Sequence, residues 1–236
     1  REATVILNAA KRPIQSGRRH LENVRGRQRI LDIEDRADLA AHLRAIFDAA
    51  QRLSARALMV MPPDLRDPLP TLVPRLLNPI LQGGYEHVLP NYRADSLSAG
   101  LTNHLLYPLT RAFSGLDVRR PADGVLALSQ ELMRDFAGRD VWESDVARYG
   151  VDIWMTCASI IHERRVCQVP VPSLYQELSD SAFDSYFYQS MSTIFRQFGV
   201  HRKQWRETRH TPAAIVWAES DEGQSTMSLD PDGLIS

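Results

Sequence analysis

Short apolar runs alternate along this chain with stretches whose apolar residues recur at helical spacing, and each run ends in a polar loop. Ala3–Leu7, Ala57–Met61, Tyr85–Leu89 and Val166–Val171 read as buried strands of four to six residues. Between them, Leu39, Leu43, Ile46, Ala50 and Leu53 follow a helical period behind a capping Asp38, with His42, Arg44, Asp48 and Gln51 on the solvent side. Strand and helix in alternation predict an α/β fold with a mixed, mostly parallel sheet flanked by helices.

Breakers punctuate this pattern. Pro62 and Pro63 stop the second run, and Pro68, Pro70 and Pro74 keep the chain extended ahead of Leu76–Leu81. Gly83-Gly84 makes a turn into Tyr85–Leu89. Leu101–Phe113 carries apolar residues at helical intervals around Pro108, with Thr102 and Asn103 in its first turn, where backbone amides point at anions. Val118–Pro121 and Val125–Leu128 flank Asp123-Gly124, and Ser129 opens a helix through Leu132 and Phe136. Gly150 breaks the segment that holds Asp145 and Asp152, ahead of the apolar Ile153–Ile161. Phe183, Phe187, Met191, Ile194 and Phe198 share one helical face, a stripe expected to be core. Glu219–Ser236, with five acids and no cation, reads as a solvated, partly ordered tail.

Composition narrows the function classes. The 236 residues carry 28 Lys+Arg against 29 Asp+Glu, which removes the whole-protein basic field of a general nucleic-acid binder. A local positive stretch remains, with seven cations and one acid between Lys11 and Arg29, but no aromatics are interleaved for base stacking, so no nucleic-acid partner is expected. Anionic polyphosphate suits the stretch better. Two cysteines, Cys157 and Cys167, are too few for a disulfide scaffold or a zinc site, and a reducing, cytoplasmic setting is expected. Cys157 reads as a packing residue and His162-Glu163 as a surface helix end. No run reaches the roughly 18 apolar residues of a membrane span. The chain begins at Arg1 with no apolar leader, and a segment upstream of it is expected.

Motif searches return no phosphate-binding Gly-rich loop, no dinucleotide fingerprint, no Gly-x-Ser-x-Gly elbow and no His-Glu-x-x-His. Two acids stand out by position. Asp64 follows the Ala57–Met61 strand, where ligands of open α/β sheets collect, and a helix cap is the other reading. Asp152 lies between apolar neighbours, so it is either partnered and functional or the cap of the helix that follows.

The order of these segments resembles nucleotide-sugar glycosyltransferases of the GT-A type, the glucosyl-3-phosphoglycerate and mannosylglycerate synthases above all. The residues that carry the likeness are Leu39–Ala55, the strand ending in an acid with Leu65-Arg66, Gly83-Gly-Tyr85 through Leu89-Pro-x-Tyr92, Gly100-Leu-Thr-Asn103 with Tyr107-Pro-Leu109, and above all Asp145–Thr156 followed by Cys167-Gln168. It extends to about Gly199. It implies a glycosyltransferase-like domain over 1–199, with a nucleotide-sugar half over 1–90 and an acceptor half over 91–199, then a C-terminal extension over 200–236. A base-binding strand ahead of Ala3 is implied and is not in the sequence.

For the site, the resemblance implies a hexosyltransferase acting on a nucleotide-diphosphate sugar and a small anionic hydroxy acid. Asp64 matches the second acid of an Asp-x-Asp motif that binds Mg²⁺ or Mn²⁺, with Arg66 beside it in the nucleotide-sugar site. Arg93, Thr102 and Asn103 match the acceptor-binding positions, and Asp152 matches the catalytic acid beside the acceptor hydroxyl. A homodimer is a further family trait. The sequence also departs from the pattern: Pro62 replaces the first acid, no His stands around Ser173–Gln176, Ala122-Asp123-Gly124 replaces a Gly-Gly, and Arg36-Ala37-Asp38 replaces Gly-Lys-Gly. These losses fall on metal and phosphate positions, and they define the alternative, a catalytically degenerate glycosyltransferase fold that serves as a ligand- or partner-binding module.

Overall fold

The structure, a computed structural model, describes residues 39–61, 72–92, 100–122, 124–142, 146, 150–171, 180–207, 212, 214–218 and 225–227. The Ala3–Leu7 run, the Lys11–Arg29 stretch, Asp38, Asp64, Arg66, Arg93 and Asp145 lie outside the described residues.

Among the described residues six strands form one sheet: β1 (Ala57–Val60), β2 (His87–Asn91), β3 (Leu126–Ser129), β4 (Val166–Pro170), β5 (Ile215–Ala218) and β6 (Ser225–Met227), in the spatial order β1-β3-β2-β4-β5-β6. The expected mixed sheet is found, with β1, β2, β4 and β5 running one way and β3 and β6 the other. Only β2–β4 and β4–β5 pair in parallel; β3 runs against both β1 and β2, and β6 runs against β5. The sheet is mixed because β3 inserts between β1 and β2 in the opposite sense, so those two strands still point the same way. Within the acidic tail, Ser225–Met227 adds strand β6 to the edge.

Among the described residues seven α-helices accompany the sheet: α1 (Leu39–Arg52), α2 (Leu72–Gly83), α3 (Tyr107–Ser114), α4 (Gln130–Ala137), α5 (Val151–Ile161), α6 (Asp180–Val200) and α7 (Arg202–Glu207). Period-two alternation divides the strands between two faces. Leu58, Leu89, Leu126, Leu128 and Val166 pack under α1, α4 and α5. Val88, Ala127, Cys167 and Val169 pack under Leu72 and Leu76 of α2, with Trp217 of β5. In α1 the buried side includes Phe47, edge-on to Trp142, and His42, which is corrected from the solvent side.

Local signals explain most element ends. Ser129 caps α4 by accepting the Leu132 amide at 3.2 Å, a bond of the kind worth about 1 kcal/mol. Gly84 takes φ 69°, where a side chain would be strained, and so turns α2 into β2. The chain is already helical at Leu72, so the expectation that Pro74 keeps it extended is corrected; Pro74 is tolerated in the first turn, where a backbone N–H would have no intrahelical acceptor. β2 begins two residues later than the Tyr85 start, because Tyr85 turns to pack edge-on against Trp217 under the Arg165 guanidinium. Pro90 is accommodated inside β2 because the described pairing with β3 stops at Val88.

The stripe on α6 is corrected in its first half only, since Ile194 is buried and Met191 and Phe198 pack against its cluster as expected. Phe183 and Phe187 are 44% and 40% exposed and stack on each other, while Ser190, Thr193, Ile194 and Gln197 form the buried side. Polar side chains face inward there because α6 packs against the start of α5, where space is tight. A Cβ on Gly150 would collide with the Thr193 side chain.

Candidate active site

The carboxyl ends of β1, β2 and β4 lie at one end of the sheet, together with the amino end of antiparallel β3. This is the end at which α/β sheets of this kind hold their ligands. Three described segments converge there: Asn91-Tyr92 after β2, residues 117–122 before β3, and the start of α5.

Residues 117–122 are held from several sides. Gln168 of β4 accepts the Arg119 amide at 2.7 Å and donates to the Asp117 carbonyl at 3.1 Å. The Thr156 hydroxyl of α5 donates to the Pro121 carbonyl at 2.7 Å, and the Tyr186 hydroxyl of α6 donates to the Ala122 carbonyl at 3.0 Å. Backbone bonds join Asp117 to Pro212 and Ala214. Such saturation of a connecting segment fixes what its side chains face.

Asp152 stands in the first turn of α5, half-buried, with Gly150 as the N-cap residue and the Trp154 amide donating to the Gly150 carbonyl. The capping alternative for Asp152 is therefore corrected. Asp152 is four residues before Thr156 and so shares the helix face that meets Pro121. It is engaged with neighbouring groups. Its position in the first turn suits a carboxylate, since the helix dipole there favours negative charge.

Thr102 and Asn103 lie in a π turn, Thr102–Leu106, that leads into α3. Pro108 explains the widening: it has no N–H and its ring crowds the carbonyl four residues earlier, so the ladder shifts and the Tyr107 amide donates to the Thr102 carbonyl. Thr102 is buried and Asn103 exposed, so the two neighbours face apart.

The sequence reading passed over a cluster of arginines and tyrosines at this end. Arg120, 4% exposed, holds its guanidinium 4.4 Å from the Tyr92 ring centre, and Arg119 lies 4.6 Å over Tyr107. Buried Asp117 has Arg119 Nε at 3.6 Å and Arg111 Nε at 3.9 Å. Burial, with the Asp117 carboxylate beside it, raises the Tyr107 hydroxyl above its usual range. The Arg119-Arg120 dipeptide was the available signal, an uncommon pair of cations between apolar Val118 and Pro121.

Other features lie away from this end. An open cavity of about 300 Å³ is lined by Arg44, Gly138, Arg139, Asp140 and Trp142. Arg139 joins Asp135, which joins Arg164 and through it Glu86, beside the start of β2, so this cavity flanks the opposite end of the sheet. Cys157 is fully buried and desolvation pushes its thiol up to about 12, as expected of a packing residue. Among the described residues no three His, Cys, Asp or Glu side chains come together as a metal group, and no helix is long and apolar enough to cross a membrane.

No protein-family profile and no curated sequence matches the chain. Solved structures do. Glucosyl-3-phosphoglycerate synthase from Mycobacterium tuberculosis, in complex with Mn²⁺, UDP and glucosyl-3-phosphoglycerate, overlays with a TM-score of 0.65 at 18% identity, over 98% of this chain and 88% of that one. The same enzyme with Mn²⁺, UDP and phosphoglyceric acid gives 0.66 at 19% identity over the same shares. A further mycobacterial protein gives 0.66 at 17% identity, over 97% of this chain and 84% of that one. At these identities the likeness establishes architecture, and the architecture is the GT-A fold, a mixed sheet between helices as in the glucosyl-3-phosphoglycerate synthases.

Proposed function

We propose that the chain is a glycosyltransferase that moves a hexose from a nucleotide-diphosphate sugar to a small anionic hydroxy-acid acceptor. The observation that carries this reading is Asp152, a half-buried carboxylate in the first turn of α5, on the helix face whose Thr156 is bonded to the segment leading into β3. The fold supports it: the overlaid synthase has been crystallised with UDP-glucose and glycerol 3-phosphate.

In this reading Asp152 orients the acceptor hydroxyl at the anomeric carbon. The acceptor oxygen bonds to that carbon as the carbon's bond to the diphosphate oxygen breaks, the hydroxyl proton passes to the Asp152 carboxylate, and the nucleoside diphosphate departs with the electron pair. Arg93 and Thr102 receive the acceptor's anion, a task suited to a guanidinium and a hydroxyl. Asn103, the exposed neighbour of Thr102, is the third residue on the acceptor side. Asp64 and Arg66 belong to the diphosphate side.

A divalent cation would neutralise charge on the departing nucleoside diphosphate. Asp64 is the one carboxylate of the Asp-x-Asp motif that the sequence keeps, since proline at 62 offers no side-chain donor. Magnesium does bind through one carboxylate together with substrate phosphates and water, so Asp64 fits a cation carried in by the donor and not a resident one.

Calorimetric titration with UDP-glucose and with GDP-mannose, with and without Mn²⁺, beside an Asp64→Ala variant and an assay for nucleoside diphosphate released in the presence of glycerate or 3-phosphoglycerate, tests the proposal. Binding that Asp64→Ala weakens, with turnover, is the expected result. Binding without turnover assigns the chain to the degenerate module that the loss of Pro62's counterpart acid suggests, and absence of binding by a folded protein overturns the donor assignment.

A further inference from the structure

The segment from Tyr92 to Tyr107 begins and ends on rings covered by one dipeptide. Arg120 lies over Tyr92, directly after β2, and Arg119 over Tyr107, the first residue of α3. Neighbouring residues in a non-helical stretch point to opposite sides, so a single Arg-Arg pair reaches both rings. A planar guanidinium can lie flat on a ring in a way an ammonium cannot, which makes arginine the residue for this contact. Arg119 is further steadied by Asp117 and its backbone amide is tied to β4 through Gln168, while the two residues that follow the dipeptide, Pro121 and Ala122, are tied to α5 through Thr156 and to α6 through Tyr186.

Tyr107 acts on the turn that precedes it. The Tyr107 amide donates to the Thr102 carbonyl, so the position of Tyr107 fixes the turn in which Thr102 sits. Tyr92 precedes Arg93 directly. We propose that Arg119 and Arg120 are positioning residues that set Tyr92 and the turn bearing Thr102 against the helix of Asp152, with which Leu101 and Leu106 share a buried cluster through Ile153. The catalytic consequence rests on the transferase reading; the structural clamp does not.

Amide hydrogen exchange on the intact chain tests the clamp without any substrate. Arg119→Met, Arg120→Met and Arg120→Lys are compared with the unaltered protein. Exchange at residues 100–107 is expected to rise at least tenfold in both methionine variants, with α1 and α4 amides unchanged and with little rescue by Arg120→Lys. Unchanged exchange at 100–107, or an equal rise at every element, would overturn the clamp. Arg119 is half exposed, so its variant keeps the test readable if loss of buried Arg120 prevents folding. With transfer measurable, acceptor KM is expected to rise at least tenfold and donor KM to stay within twofold, and a fall in kcat alone counts against positioning of the acceptor. Failure of the unaltered protein to bind any nucleotide sugar would sink the transferase reading and leave the exchange result standing.

Discussion

The Thr156 hydroxyl donates to the Pro121 carbonyl at 2.7 Å, joining the helix of Asp152 to the segment that enters β3. Thr156 is 1% exposed, so Thr156→Val leaves a buried carbonyl unpaired, at a cost of about 1–3 kcal/mol. Tyr186→Phe removes the neighbouring bond to Ala122. Because the two bonds hold adjacent carbonyls, urea unfolding of both single variants and the double variant is expected to show coupling of at least about 0.5 kcal/mol. Thr156→Ser, which keeps the hydroxyl, is the control. Strict additivity would mean that the segment is held elsewhere.

Gly150 is required by contact and not by its backbone, whose φ of −83° any residue adopts. An added Cβ would meet Thr193 and the Gln189 carbonyl. Gly150→Ala is therefore expected to destabilise by about 1–3 kcal/mol. Thr193→Ala in the same chain removes the hydroxyl that collides first and should recover part of the loss. A neutral Gly150→Ala, seen in the midpoint of thermal unfolding, would mean that α5 and α6 shift apart freely.

His87 makes the fold acid-sensitive. Its ring is fully buried, its Nδ1 meets Ser159 Oγ at 2.8 Å, and that hydroxyl donates to the Met155 carbonyl, so Nδ1 carries the proton. Its Nε2 has no partner among the described residues, and desolvation lowers its pKa to about 3. The unfolded chain takes up this proton below about pH 6.5 while the folded one does not until about 3, so stability falls with pH across that window. Between pH 7 and 5 the loss from this group is about 2 kcal/mol. His87→Leu is expected to flatten the denaturation free energy over that range by this amount. His162 and His201, also lowered by burial, keep a smaller slope in the same direction.

Elements with strong local signals were legible in the sequence and long-range facts were not. Ser129 announced its helix and Gly84 its turn, because a cap and a positive φ are set within a few residues. The α6 stripe misled because helical period identifies a face without saying what covers it. Phe183 and Phe187 ended exposed while Thr193 and Ser190 turned inward, the choice being made by Gly150 forty residues away. The sense of β3 depended on which strands it joins, which periodicity does not encode. At the site, Asp152 was visible as an acid among apolar residues. Arg119 and Arg120 were not, since their roles come from rings that precede them by 12 and 28 residues in sequence.

Asp152→Asn separates the chemical role from the structural one. The substitution keeps shape and removes a charge at the start of α5, which costs about 0.3–1 kcal/mol of helix stability, so unfolding should shift only slightly. If Asp152 orients and deprotonates the acceptor hydroxyl, turnover falls by about 10²-fold or more. The donor dissociation constant should stay within about threefold, since the carboxylate is not asked to hold the diphosphate. A variant that transfers hexose at near the original rate would reduce Asp152 to a helix-start residue and remove the observation on which the transferase reading stands. A variant that loses donor binding together with turnover would instead place this carboxylate on the nucleotide side of the cleft.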